Sequence, residues 1–263
     1  PYARFTQIEQ TGYVQPYDDY ADNGKSDVNA TFPTRENFVF ETVIEYGDRE
    51  SDMLGRARIN LVSEKQMSAA TTIDLAMNRF YFYGVQGLQN FGLLNDPSLP
   101  TALTPSNVGT TEAPVTAWKS KTAVQIYNDI LSMVADLSNR SLGYIDENSR
   151  LKLVVSPKIS AMLLKTSDLM TNSVKALLQQ SLPNLEIVVV PEMSTAAGEL
   201  VQLWADVIRA DGVENKTVDL VYSEKMRAGR VVPHLSHFKQ KFVAATFGAI
   251  IFQPIAISQM LGV

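Results

Sequence analysis

An α+β fold is predicted by three features of the chain. Residues Lys241 to Val263, KFVAATFGAIIFQPIAISQMLGV, hold two β-rich apolar runs separated by Gln253-Pro254, a pattern expected of buried strands rather than of a tail. Residues 37–47, NFVFETVIEYG, alternate as a half-buried strand does. Two stretches, about 63–83 and 122–137, instead repeat apolar residues at helical spacing.

Each element follows in order. Residues 1–36 are rich in Tyr, Asp, Asn, Gly and Pro and lack either period, so they predict an extended arm. The arm carries Tyr2, Phe5, Tyr13, Tyr17, Tyr20 and Phe32, rings that lie either on its own domain or on a neighbouring subunit. In residues 37–63, Phe38, Phe40, Thr42, Ile44 and Tyr46 share one face of a strand. The polar bend 47–55 (GDRESDMLG) follows, and 57–63 (ARINLVS) predicts a returning strand. The tip of this hairpin carries Asp48, Arg49, Glu50, Asp52 and Arg56. It is either a solvated loop or an intersubunit clasp in which charges set the register. Ser63 and Gln66 have capping-box spacing, Met67, Ala70, Ile73, Met77 and Phe80 form a core stripe, and Gly84 stops the helix. Residues 80–100 turn repeatedly at Gly84, Gly87 and Gly92, and residues 101–117 are a surface loop bounding a second lobe. That lobe reads αβααβ: a helix from Thr122, a strand at 151–155, a helix capped by Ser156-Pro157, another at about 171–180, and a strand at 185–190. Strands at 200–208 and 217–222, separated by a turn around Asp211-Gly212, precede the closing pair. The segments are 1–36, 37–63, 64–117, 118–235 and 236–263.

Composition narrows the function. Hydrophobic content of 45% and charged content of 19% support a core. A net charge of -5 without a long basic run argues against a dedicated nucleic-acid reader. The absence of cysteine removes disulfides, thiolate catalysis and Cys-ligated zinc. No run of about 20 apolar residues is present to form a membrane-spanning helix. Pro1 in first place points to loss of an initiator Met or to proteolytic maturation, and no signal peptide is visible. There is no P-loop, no G-x-G-x-x-G and no G-x-S-x-G. His234 and His237 have i,i+3 spacing but lie beside Pro233 and lack an H-E-x-x-H glutamate. The S-x-x-K at Ser236–Lys239 is short enough to arise by chance. A calcium loop counted from Asp19 fails at Ala21 and Ala30. The expectation is therefore no catalytic residue, no cofactor and no metal. A carboxylate pair assembled only in space would still make an α+β enzyme, and this stays as the competing class.

The order of elements, with MNRFYFYGVQGLQNFGLLNDP, LPNLEIVVVPEM and FGAIIFQPIAIS, resembles the major capsid protein of tailed bacteriophages, the Hong Kong 97-type fold. The resemblance spans about residues 37–263. It implies an N-terminal arm, an extended hairpin loop, a peripheral domain built on a long spine helix, and an α/β axial domain. One departure stands out, Gln253 where many relatives place Arg before the closing Pro. No matched crosslinking set of Lys, Asn and Glu is identifiable. The implied function is self-assembly of pentamers and hexamers into an icosahedral shell around double-stranded DNA. Contact with that DNA would be non-specific, and portal, scaffold and decoration proteins would be further partners. The location would be the virion capsid, after assembly in the bacterial host cytoplasm. Candidate intersubunit residues are Phe5, Tyr13, Tyr17, Glu45, Asp48, Arg49, Glu50, Asp52, Arg56 and Arg58. An encapsulin-like compartment shares the fold and is the alternative within the shell class.

Overall fold

The computed structural model describes residues 2–17, 19, 24–109, 115–167, 170–208 and 214–263. Tyr20, the acidic stretch around Asp18 and Asp22, and the turn at Asp211-Gly212 lie outside the described residues. The strands and helices run β1 (Tyr2–Arg4), β2 (Gln7–Tyr13), β3 (Lys25–Thr31), β4 (Thr34–Glu36), β5 (Phe38–Gly47), α1 (Asp48–Arg56) and α2 (Leu61–Tyr83). They continue with α3 (Ala123–Arg140), β6 (Leu151–Val155), α4 (Pro157–Met162), β7 (Thr166–Ser167), β8 (Met170–Ser173), α5 (Val174–Ser181) and β9 (Leu185–Val189). The last are β10 (Ser194–Thr195), β11 (Gly198–Ala205), β12 (Val207–Ile208), β13 (Glu214–Asn215), β14 (Val218–Pro233), β15 (His237–Ile251) and β16 (Ile257–Leu261). They divide into two units, residues 1–96 with 220–250, and residues 97–219 with 251–263. These boundaries differ from the breaks at 117 and 235 that composition suggests.

In the first unit, a three-stranded sheet of order β14-β15-β5 packs one face of β5 and β15 on α2. Ile44, Ala69, Ile73, Met77, Phe242 and Ala244 form its core, with Phe40, Tyr46 and Tyr81 packed against them. The alternation read at 37–47 is real, but the partner of β5 is not residues 57–63. β5 pairs antiparallel with β15, from Phe38↔Thr246 to Gly47↔His237. The expected hairpin is replaced by helix α1, with Asp48 and Glu50 in its first turn and Arg56 in its last, the arrangement that suits the helix dipole. Alternation shows which face a strand buries and says nothing about its partner.

Helix α2, 23 residues long, is capped by Asn60, whose side chain accepts from the Ser63 amide. Ser63 therefore lies inside the helix rather than at its cap. The buried stripe is Leu61, Ala69, Ile73 and Met77, and Met67 points outward. Gly84 ends the helix at φ 61°, where an added Cβ would meet the Asn90 carbonyl oxygen, so only glycine fits.

The described part of residues 1–36 is not irregular. β1 pairs with β4 and β2 with β3, making an antiparallel ribbon. Every residue of β3 is exposed. With neither face of β3 buried there is no alternation of apolar and polar residues to read, which is why the sequence pattern concealed that strand.

The second unit follows its sequence pattern more closely. Helix α3 starts at a capping box of Thr122 and Gln125, and Ser156 caps α4 ahead of Pro157. Helix α5 begins at Val174, three residues later than expected, because β7 and β8 precede it as a small hairpin. β6 runs parallel to β9 and antiparallel to β11, which also carries β16. Trp118, Ile126, Ile130, Met133, Leu137, Leu153, Val155, Ile159, Leu178 and Leu203 are among its buried core. The two closing runs are not a pair. β15 lies mostly in the sheet of the first unit and β16 joins β11 in the second. The strand expected at 217–222 continues as β14 to Pro233.

Candidate assembly surfaces

The root of the arm is locked into its unit by backbone and buried charge. The Glu36 amide donates to the Gln89 carbonyl at 2.9 Å, and Asn90 Nδ2 donates to the carbonyls of Glu36 (3.1 Å) and Thr246 (3.0 Å). Arg35 pairs with Asp96 at 2.6 Å, both buried, and its guanidinium lies 4.9 Å from the centre of the Phe91 ring. Gly248, at φ 80°, admits this approach. A Cβ there would come within 2.4 Å of the Phe91 oxygen, while the Ala249 amide donates to that same oxygen at 3.0 Å. Phe5 belongs to this root, edge-on to Phe247 at 6.1 Å, with its amide bonded to the Pro33 carbonyl. It therefore has a partner within its own unit.

Beyond the root the ribbon is exposed all along β3. Tyr13, at the far end of β2, is 55% exposed and Tyr17 is 90% exposed. The Tyr17 hydroxyl donates to Asp19 at 2.6 Å, and this bond raises its pKa above the usual tyrosine value. Ile8 and Val28 are also exposed on the ribbon. An isolated two-stranded ribbon is marginal in water without a surface to cover it.

The other expected contact residues gather around the junction of β5 and α1. Glu45 reaches His237 Nε2 at 3.3 Å and Lys239 Nζ at 3.2 Å. Lys65 donates to Glu50 at 2.8 Å and to the Glu45 carbonyl at 2.7 Å, stitching α1, α2 and β5 together. The hydrogen bond from Lys65 holds the Glu50 carboxyl below its usual pKa. Asp48, Arg49, Asp52 and Arg56 ride on α1 with exposed side chains, and Arg58 turns the chain at φ 61° toward α2. The structure thus gathers Glu45, Glu50 and α1 at one end of the sheet.

Sequence reasoning missed the β14–β15 hairpin, which reaches this same end. Its turn brings the His234 ring parallel to that of His237 at 4.6 Å, and the Asp48 amide donates to the Ser236 carbonyl at 3.2 Å. The two histidines flank a turn and do not share a helical face. The alternating stretch from Val218 through Pro233 was the available signal. All residues of β14 from Lys225 to Pro233 are exposed.

Among the described residues no group of three or more His, Asp or Glu side chains could hold a metal, and no helix is long and apolar enough to cross a membrane. What the first unit offers is protein-sized surface: a bare ribbon, an exposed edge strand and a charged helix.

The fold recurs in solved structures. The capsid of Myoviridae phage XM1 superposes at a TM-score of 0.75 with 12% identity, covering 100% of this chain and 86% of the other. The capsid of a native GTA particle gives 0.64 at 12%, covering 98% and 84%. A virus-like particle from Pyrococcus furiosus gives 0.54 at 14%, covering 97% and 86%. These likenesses establish the Hong Kong 97-type fold. No curated protein matches the chain. The sequence pattern of the Pa193 gp26 major capsid proteins matches residues 2–262. That match favours neither the encapsulin-like compartment nor the carboxylate enzyme. The chain belongs to the Pa193 gp26 major capsid protein family, whose members are structural proteins of the virion capsid and not enzymes.

Proposed function

We propose that this capsid protein assembles as pentamers and hexamers into an icosahedral shell enclosing double-stranded DNA, and that assembly takes place in the host cytoplasm. The observation that carries the reading is the ribbon of β2 and β3, bare along β3 and hung from a rigid root. A subunit that orders such a ribbon gains by laying it on a neighbour, and many weak contacts of this kind add up across a closed shell. In this reading residues 1–36 serve as the extended loop, taking the role that the sequence had suggested for residues 37–63. The α2 and β14-β15-β5 unit is the peripheral domain, and the second unit is the axial domain. Tyr13 and Tyr17 are contacts of the ribbon. Glu45, Asp48, Arg49, Glu50, Asp52, Arg56 and Arg58 form a charged contact at the end of the sheet, which sets register more than affinity. Phe5 acts through the root. Contact with DNA is non-specific, and portal, scaffold and decoration proteins meet the finished lattice.

Light scattering and negative-stain microscopy of the purified protein test this directly, with closed particles or ring-shaped capsomers expected. Replacing residues 7–31 by a short turn is expected to preserve the fold by circular dichroism and to abolish closed particles. Particles of normal size from the shortened chain would refute the role of the ribbon.

A further inference from the structure

The second unit carries an exposed feature that its own fold does not use. Helix α3 ends at Arg140, and the next residues form a tightly held turn. The Ser141 amide donates to the Leu137 carbonyl (2.9 Å), the Gly143 amide to Ser138 (2.9 Å) and the Tyr144 amide to Ser141 (3.1 Å). Ser141 Oγ accepts from the Ile145 amide at 3.0 Å and donates to the Ser138 carbonyl at 3.2 Å. Ile145 is buried in the core beneath. On the far side, Ser149 and Asp146 exchange hydrogen bonds at 3.0 and 2.7 Å. The turn is thus fastened at both ends.

Within it Leu142 has φ 53°, left-handed backbone that glycine or asparagine adopts at less cost. The leucine side chain gains nothing inside the unit in return, because it is 91% exposed. Tyr144, two residues on, is 79% exposed. Two large apolar side chains held outward on a rigid, strained turn have the character of an interface anchor: their geometry is set in advance, and a tyrosine buries about 150–250 Å² when covered.

We infer that the turn Ser141–Ile145 is a preformed contact point, whose Leu142 and Tyr144 pack into a second copy of this chain during shell assembly. This rests on the assembly reading above and adds a contact in the second unit. A second copy is the occupant because a shell protein meets copies of itself at every lattice position, so that one small anchor is repeated throughout the particle. The same unit also exposes Leu164 and Val189, apolar groups of the kind such an anchor would cover.

The cysteine-free chain makes the test clean. Tyr144→Cys, doped as a minor fraction into wild-type subunits, is labelled with a maleimide before and after assembly. Labelling is expected to slow by about tenfold or more in particles. Leu142→Asn, which tolerates the left-handed backbone, is expected to keep or raise the unfolding temperature of the free subunit. It should also raise the concentration needed for assembly by about tenfold. Equal labelling rates in the two states, or assembly of L142N at wild-type concentrations, would overturn the inference while leaving the shell reading intact. Failure of the wild-type protein to form particles would take both down together.

Discussion

The two units reach stability by different routes. The second closes around a large core in which α3, α4 and α5 pack with β6, β11 and β16, and its caps and helix ends are local in sequence. The first has a small core on one face of a sheet, and the rest of its order depends on segments far apart in sequence meeting through strand pairing, close backbone approach and buried polar contacts. The difference also shows at the surface: in the first unit β3 is exposed along its whole length, and so is β14 from Lys225 to Pro233.

The largest expected effect probes the backbone contact of the first unit. Gly248→Ala forces a Cβ to within 2.4 Å of the Phe91 oxygen and 2.6 Å of Asn90 Oδ1, at φ 80°. A loss of about 4 kcal/mol or more is expected, read as failure to fold or as a collapsed melting temperature. An alanine tolerated there would show that the root is looser than its geometry suggests.

Next comes the buried charge of the second unit. Asp129 accepts from Lys121 (2.5 Å), Trp118 Nε1 (2.8 Å) and both the amide and hydroxyl of Ser106, pinning the loop before α3. Asp129→Ala strands Lys121, which is fully buried, and should cost about 3–5 kcal/mol in chemical denaturation. If hydrogen exchange then rises only in residues 97–219 and 251–263, the units are energetically separate. A uniform rise would break the comparison.

A smaller effect tests local control. Thr122→Ala removes the cap of α3 and should cost about 1 kcal/mol, because the tertiary core holds most of the helix regardless. The smallest effect is in pH. Burial pushes the Glu199 carboxyl up, but hydrogen bonds from Ser156, Lys158 and Ser194 outweigh it and leave its pKa below the usual glutamate value. A carboxyl depressed in the folded state stabilises above its unfolded pKa. That contribution is lost as pH falls through the folded value, so the stabilities of wild type and Glu199→Gln should begin to converge as pH drops below the unfolded glutamate value of about 4.3. An unchanged gap across that window would assign the effect elsewhere.

The same division explains what could be read from the chain. The helical spacing from Thr122, Ser156 with Pro157, and the alternation of Phe38 to Tyr46 determined their elements directly, because each is a bargain struck between neighbouring residues. The capsid family and the shell function were also legible, through the order of elements and a few apolar phrases. The charged bend at 48–56 was legible only as polar, since a short helix and a loop share that composition. β3 left no trace because neither of its faces is buried, and the contact residues predicted in residues 1–36 scattered, Phe5 to the root and Tyr13 and Tyr17 to the ribbon. Only tertiary structure decided that β5 pairs with β15, that the closing runs part into different sheets, and that Gly248 meets Phe91. Periodicity reports which face of a segment is covered. The identity of the segment that covers it depends on contacts between residues about 200 positions apart in sequence, which no local pattern records.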